Sequence, residues 1–108
     1  MSNEHIYRVT VRGRFAELND RARAQLVREQ PEHDIFKSAY TREGTFTYDP
    51  SILFFNLRYE VRTANGIEDA ELIGSNEAEL FLSTLGYGYK NLKINVVDTS
   101  TMWSDERG

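Results

Sequence analysis

The sequence predicts an α+β domain of ferredoxin-like type, with β-α-β-β-α-β order, a four-stranded antiparallel sheet and two helices on one face. Three observations point there. Phe54 to Arg62 alternates with a period of two: Phe55, Leu57, Tyr59 and Val61 fall on one side, Asn56, Arg58, Glu60 and Arg62 on the other. Ile6 to Arg12 repeats the pattern, with Tyr7, Val9 and Val11 opposed to Arg8, Thr10 and Arg12. Helical spacing then appears twice, once after each of these strands.

The first strand covers Ile6 to Arg12, and Gly13 is expected to end or bend it. Asn19 is placed to cap a helix over Asp20 to Gln30, with Asp20 suited to its first turn. Ala22 and Leu26 share the inner face with Val27 beside them, and Pro31 closes the helix. A second strand lies between Ser38 and Tyr48, with Phe46 and Tyr48 on one face and Thr45 and Thr47 on the other. Asp49-Pro50-Ser51 forms a tight turn, since proline presets φ and aspartate bonds nearby backbone.

The third strand spans Ile52 to Ala64 and stops at Asn65-Gly66. A second helix over about Glu68 to Leu85 carries Ala70, Ile73, Leu80, Phe81 and Leu85. Gly74 weakens it by roughly 1 kcal/mol relative to alanine and marks a kink or break. Gly86 stands where a left-handed cap belongs. The last strand runs from Asn91 to Asp98, with Leu92, Ile94 and Val96 inward, and residues 99–108 form a polar tail in which Trp103 stands out.

The bulk numbers bound the function. The 108 residues suit a single domain, and 40% hydrophobic content suffices for a modest core. A net charge of −4 argues against bulk attraction to nucleic acid or to an anionic membrane, while leaving room for a local basic patch. The absence of cysteine excludes disulfides, thiolate nucleophiles and cysteine zinc sites. The Met-Ser-Asn-Glu-His start has no cationic or apolar leader, and no apolar run approaches the ~20 residues of a membrane span, so a cytoplasmic protein is expected.

With the first and third strands adjacent in mid-sheet, Arg8, Thr10 and Arg12 lie beside Asn56, Arg58, Glu60 and Arg62 on the helix-free face. Lys93 joins from the edge and Phe54 stands at one end. One reading is a solvated face in which the arginines pair with Glu60, each pair contributing about 0.2–1 kcal/mol. A second is sheet-to-sheet self-association enclosing a cavity for a small anionic or aromatic molecule, where guanidinium forks grip carboxylate or phosphate. Single-stranded RNA is disfavoured, because the third-strand aromatics Phe55 and Tyr59 have inward parity.

In the cavity reading, Arg8 and Arg58 anchor the ligand, Arg12 and Arg62 set the field, and Asn56 and Glu60 share the floor. Tyr48 and His33 are the candidate acid–base pair. Glu32-His33-Asp34 also invites a metal reading, but adjacent residues converge poorly on one ion, so no metal or other cofactor is expected. His5 precedes the first strand and reads as a terminal residue. Tyr87-Gly88-Tyr89 reads as a connection packed on the sheet rather than a phosphate loop. The alternative to a ligand-holding homodimer is a non-catalytic module that docks a protein through the arginine face.

Val9-Thr10-Val11-Arg12-Gly13-Arg14 resembles the opening of acylphosphatases. That family's phosphate loop and catalytic asparagine have no counterpart in Phe15-Ala16-Glu17-Leu18 or in Ala39 to Gly44, so the activity is not carried over. A longer resemblance runs through Tyr7 to Phe15, Glu43 to Asp49, Phe54 to Val61 and Leu85 to Tyr89, and is to small actinobacterial proteins of unknown function. Size and topology are also similar to the dimeric α+β barrel enzymes, cofactor-independent monooxygenases and polyketide cyclases, which implies cyclase, isomerase or monooxygenase chemistry in secondary metabolism.

Overall fold

Alternation and turn chemistry place the strands as expected; β1, α2 and β4 run longer than the spacing predicts, and α1 and β3 end up shorter. The computed structural model describes residues 4–33 and 39–99. In it, β1 is His5–Phe15, α1 Asp20–Glu29, β2 Thr45–Tyr48, β3 Phe54–Thr63, α2 Ile67–Leu85 and β4 Tyr89–Asp98, with a 3-10 turn over Gln30–His33 after α1. Ser38 and Trp103 lie outside the described residues.

The strands form one four-stranded sheet in the order β2-β3-β1-β4, antiparallel throughout, so β1 and β3 are the central pair. Residues of both helices join the inward side chains of all four strands in one hydrophobic cluster. Phe15, Phe46, Tyr48, Phe55 and Tyr87 pack ring against ring within it; Phe15 meets Tyr48 edge-on at 5.9 Å and Phe55 at 5.1 Å between ring centres. Such pairs add about 0.5–1.5 kcal/mol each beyond area burial.

Gly13 does not end β1. It pairs with Phe55, and a Cβ there would stand 2.7 Å from both Leu92 Cδ2 and Phe55 Cζ. Glycine is needed because two core side chains occupy the space a methyl would fill. The irregularity falls on the other side, where the β1–β4 register shifts between Arg12 and Arg14 and Asn91 takes φ 57°.

Asn19 caps α1 as expected, its side-chain oxygen accepting the Ala22 N–H at 2.7 Å. Ala22 and Leu26 are buried, but Val27 is 56% exposed, because a helix this short buries only a narrow stripe. Pro31 sits inside the 3-10 turn, so the chain tightens at Gln30 rather than stopping.

α2 is uninterrupted at Gly74, which corrects the expected kink. Ala70, Gly74, Ala78 and Leu82 recur every four residues, and all four are buried. A Cβ on Gly74 would come 2.5 Å from Val9 Cγ1, so this stripe brings the helix axis close to β1. Of the apolar residues this helix carries, Leu80 and Leu85 are 62% and 39% exposed. Gly86 is left-handed, with φ 74°, and donates to the Leu82 and Ser83 carbonyls.

The Asp49 turn aims β3. Asp49 Oδ1 accepts the N–H groups of Leu53 at 2.9 Å and Phe54 at 2.7 Å, and Oδ2 accepts that of Ser51 at 3.2 Å. Gly88 also works by contact: its carbonyl accepts the Ala16 N–H at 2.9 Å. This tie leaves Tyr87 buried in the core as a packed connection.

Candidate functional site

Register puts the predicted cations together. On the sheet face away from the helices, Arg8 stands opposite Glu60, Thr10 opposite Arg58, Arg12 opposite Asn56 and Arg14 opposite Phe54. From the other side, β4 sets Lys93 opposite Arg12 and Lys90 opposite Arg14. Like charges directly across a strand pair are destabilising. Two consecutive cation–cation pairs are therefore a local cost that a bound anion would remove.

Carboxylates do little to balance these cations. Glu60, expected to neutralise the arginines across strands, lies 3.5 Å from Arg62 on its own strand. Among the described residues no carboxylate pairs with Arg12, Arg58 or Lys93. The acids instead crowd α2, which holds Glu68, Asp69, Glu71, Glu77 and Glu79 and no lysine or arginine. Charge is thus separated across the sheet, and a chain of net charge −4 still presents a basic face.

The face is not fully open. Tyr40 reaches over it: its hydroxyl is 2.8 Å from Thr10 Oγ1, and the Arg8 guanidinium carbon lies 5.3 Å from its ring centre. Thr41 pairs with β3, its carbonyl accepting the Glu60 N–H at 2.8 Å, which anchors the chain there. Arg58 is turned aside, its Nη1 donating to the fully buried Thr47 hydroxyl at 2.9 Å. Arg8 and Arg58, expected as the anchoring pair, each engage a protein group, whereas Arg12 and Lys93 line both parts of the groove.

Between Tyr40 and Phe54 lies that groove, in two adjoining parts. One, about 400 Å³, is lined by Thr10, Arg12, Tyr40, Asn56, Arg58 and Lys93 with Ile94 and Asn95 of β4. The other, about 690 Å³, runs past Gly13, Arg14, Asp49, Phe54 and Leu92 and shares Arg12, Asn56 and Lys93 with the first. Both fall in the size range of small-molecule sites. The Arg14 guanidinium carbon lies 5.2 Å from the Phe54 ring centre, so the outer end combines cation and aromatic surface. The carboxylate of Asp49 is occupied by its turn.

The candidate acid–base pair falls on the opposite side of the sheet. The His33 and Tyr48 rings are neighbours, 5.7 Å between centres, but they pack with Phe46 in the helix layer. Tyr48 donates its hydroxyl to the Leu26 carbonyl, and burial pushes its pKa up to about 12. A phenol so held neither gives nor takes a proton near neutrality. His33 Nδ1 donates to the Phe46 carbonyl at 2.9 Å, since a carbonyl can only accept. The sequence placed these two residues with the arginines; the sheet separates them. His5, read as a terminal residue, belongs to β1, with Nδ1 2.8 Å from Asp98 Oδ2.

Sequence reasoning missed Tyr40, Arg14 and Lys90. Arg14 continues the outward parity of β1 once that strand is lengthened, whereas Lys90 has the inward parity of β4 and comes opposite Arg14 only through the register shift between Arg12 and Arg14. Tyr40 carries no periodic signal, because its position depends on where the chain passes the sheet.

No helix among the described residues is long and apolar enough to cross a membrane. Comparison with curated proteins and with solved structures finds no match. Residues 1–108 match the profile of a family of unknown function (DUF6204), and the chain belongs to that family.

Proposed function

We propose that this member of the DUF6204 family binds a small organic anion, a carboxylate or phosphate ester with an aromatic or apolar body, in the groove between Tyr40 and Phe54. The observation that carries this reading is the Arg12–Lys93 pair: two cations directly opposed across β1 and β4, with no carboxylate partner among the described residues, flanking one groove with Asn56. Arg12 offers a two-point fork and Lys93 a point charge, while Phe54 and Tyr40 offer ring surface at either end. The β-α-β-β-α-β order with β1 and β3 central supports reading the chain as ferredoxin-like, a fold that leaves function to the site.

The reading is one of binding, carried by the opposed cations and the ring surfaces, and it assigns no acid–base role to His33 or Tyr48. Tyr40 is bonded to Thr10, Asp49 to its turn, and His33 and Tyr48 face the other layer. The homodimer follows as a ligand-linked state. An isologous pairing of two such faces sets cations against their own copies, so it needs anions between them.

Calorimetric titration of the full chain with inorganic phosphate, benzoate and phenyl phosphate tests the proposal. Phenyl phosphate is expected to bind most tightly, with affinity falling as salt rises. Light scattering with and without ligand reads the mass. No binding of any of the three at low salt, or binding that is unchanged in the Arg12→Ala, Lys93→Ala double variant, overturns the groove assignment.

A further inference from the structure

We infer that Glu29, Glu32 and His33 form a binding site for a divalent transition-metal ion of the zinc type, independent of the anion groove. Their ligand atoms all lie within 4.8 Å of one another, against ~3.4 Å between donors around a tetrahedral ion, a gap that rotation of the exposed Glu32 side chain can close. Glu29 comes from the last turn of α1, and the 3-10 turn winds Glu32 and His33 back beneath it. Glu32-His33-Asp34 alone offers three adjacent residues that converge poorly; the ligand that completes the set stands four positions before His33.

The histidine supplies an observation from outside the cluster. Its Nδ1 donates to the Phe46 carbonyl on β2, which fixes the ring orientation and leaves Nε2 as the ligand atom, 3.6 Å from Glu29 Oε1. A backbone carbonyl on the far ring nitrogen is the usual support of a metal-bound imidazole. In the neutral ring, with the Nδ1 proton given to Phe46, Nε2 carries a lone pair that a metal ion beside the Glu29 carboxylate can take. Ring contacts with Phe46 at 5.2 Å and Tyr48 at 5.7 Å hold the imidazole in place.

One imidazole nitrogen and two carboxylates select Zn²⁺, Co²⁺ or Ni²⁺ over Mg²⁺ and Ca²⁺, which prefer all-oxygen sets. Three protein ligands leave room for water. The bound ion would clasp the end of α1 to the β2 edge through His33.

The test is Zn²⁺ titration of the chelator-treated full chain by calorimetry, with thermal denaturation alongside. Zn²⁺ is expected to bind and raise the midpoint, while Mg²⁺ and Ca²⁺ at equal concentration do not. Glu29→Gln and Glu32→Gln, which preserve shape, should each weaken Zn²⁺ binding by about tenfold or more. His5→Ala, which removes the other histidine, should leave it unchanged. Co²⁺ loaded into the site should show the visible absorption of a low-coordinate ion. The inference fails if Zn²⁺ does not bind, if both glutamine variants bind it as tightly as the parent, or if His5→Ala abolishes binding.

Discussion

Gly74 and Val9 meet where α2 crosses β1, with no room between them for a methyl group: a Cβ on Gly74 would lie 2.5 Å from Val9 Cγ1. Two effects then oppose each other in Gly74→Ala. Helix propensity favours alanine by about 1 kcal/mol. Overpacking against a fully buried β-branched side chain costs about 1–3 kcal/mol, and the rigid strand cannot retreat. Chemical denaturation should show net destabilisation. Val9→Ala, destabilising alone, should become less so in the Gly74→Ala background. Strict additivity of the two would show that the helix sits farther from the strand.

Arg12→Glu should separate binding from stability. The new carboxylate would face Lys93 across β1 and β4 and replace a repulsive pair with an attractive one, worth about 0.2–1 kcal/mol. Denaturation midpoints at low salt should rise or stay level while phenyl phosphate binding is lost. A variant that both loses binding and unfolds more easily would mean that Arg12 is part of the scaffold.

Tyr40→Ala should sort ligands by their bodies. Tyr40 forms one end of the groove and contacts Arg8 and Thr10. Its removal is expected to weaken phenyl phosphate severalfold and leave inorganic phosphate within about twofold, since stacked ring contacts contribute about 0.5–1.5 kcal/mol. Equal losses for both would place Tyr40 in anion contact instead.

Alkaline pH should expose the buried phenols. Burial raises Tyr48 and Tyr59 from 10.0 to about 12 in the folded chain. A folded pKa above the unfolded one means that the proton-bound form favours folding. This contribution is full below pH 10 and is lost as pH rises through about 12. Circular dichroism melts should therefore weaken from pH 10 upward, and Tyr48→Phe should flatten that decline. At neutral pH the same variant should cost about 0.5–1.5 kcal/mol, for the hydrogen bond to the Leu26 carbonyl. A decline as steep as the parent's would remove Tyr48 as a source of the linkage.

Strand parity is a local property, and it made the basic face legible from residue spacing alone. Arg8, Arg12, Asn56, Arg58 and Glu60 share a face simply by alternating with Tyr7, Val9, Val11, Leu57 and Tyr59. Caps were legible for the same reason: Asn19 and Gly86 act within one helical turn. What stayed hidden depends on partners distant in sequence. Gly13 and Gly74 looked like interruptions, yet each is small because Phe55, Leu92 or Val9 stands across from it. Tyr40 could not be placed because its partner Thr10 is thirty positions away. Tyr48 and His33 had the right chemistry for a catalytic pair and the wrong side of the sheet; the inward parity of Tyr48 with Phe46 already implied it.

The distortion opposite Arg12 and Arg14 has a consequence for how the molecule behaves in a crowded solution. β4 is ten residues long and lies at one margin of the sheet, where a straight strand would offer a ready template for another chain. Asn91, with φ 57°, throws the hydrogen-bonding groups out of step near the start of the strand, and Lys90 and Lys93 stand on either side of it. A second strand docking there would meet a broken ladder and two ammonium groups. The same lysines that face the arginines of β1 thus guard the margin against aggregation.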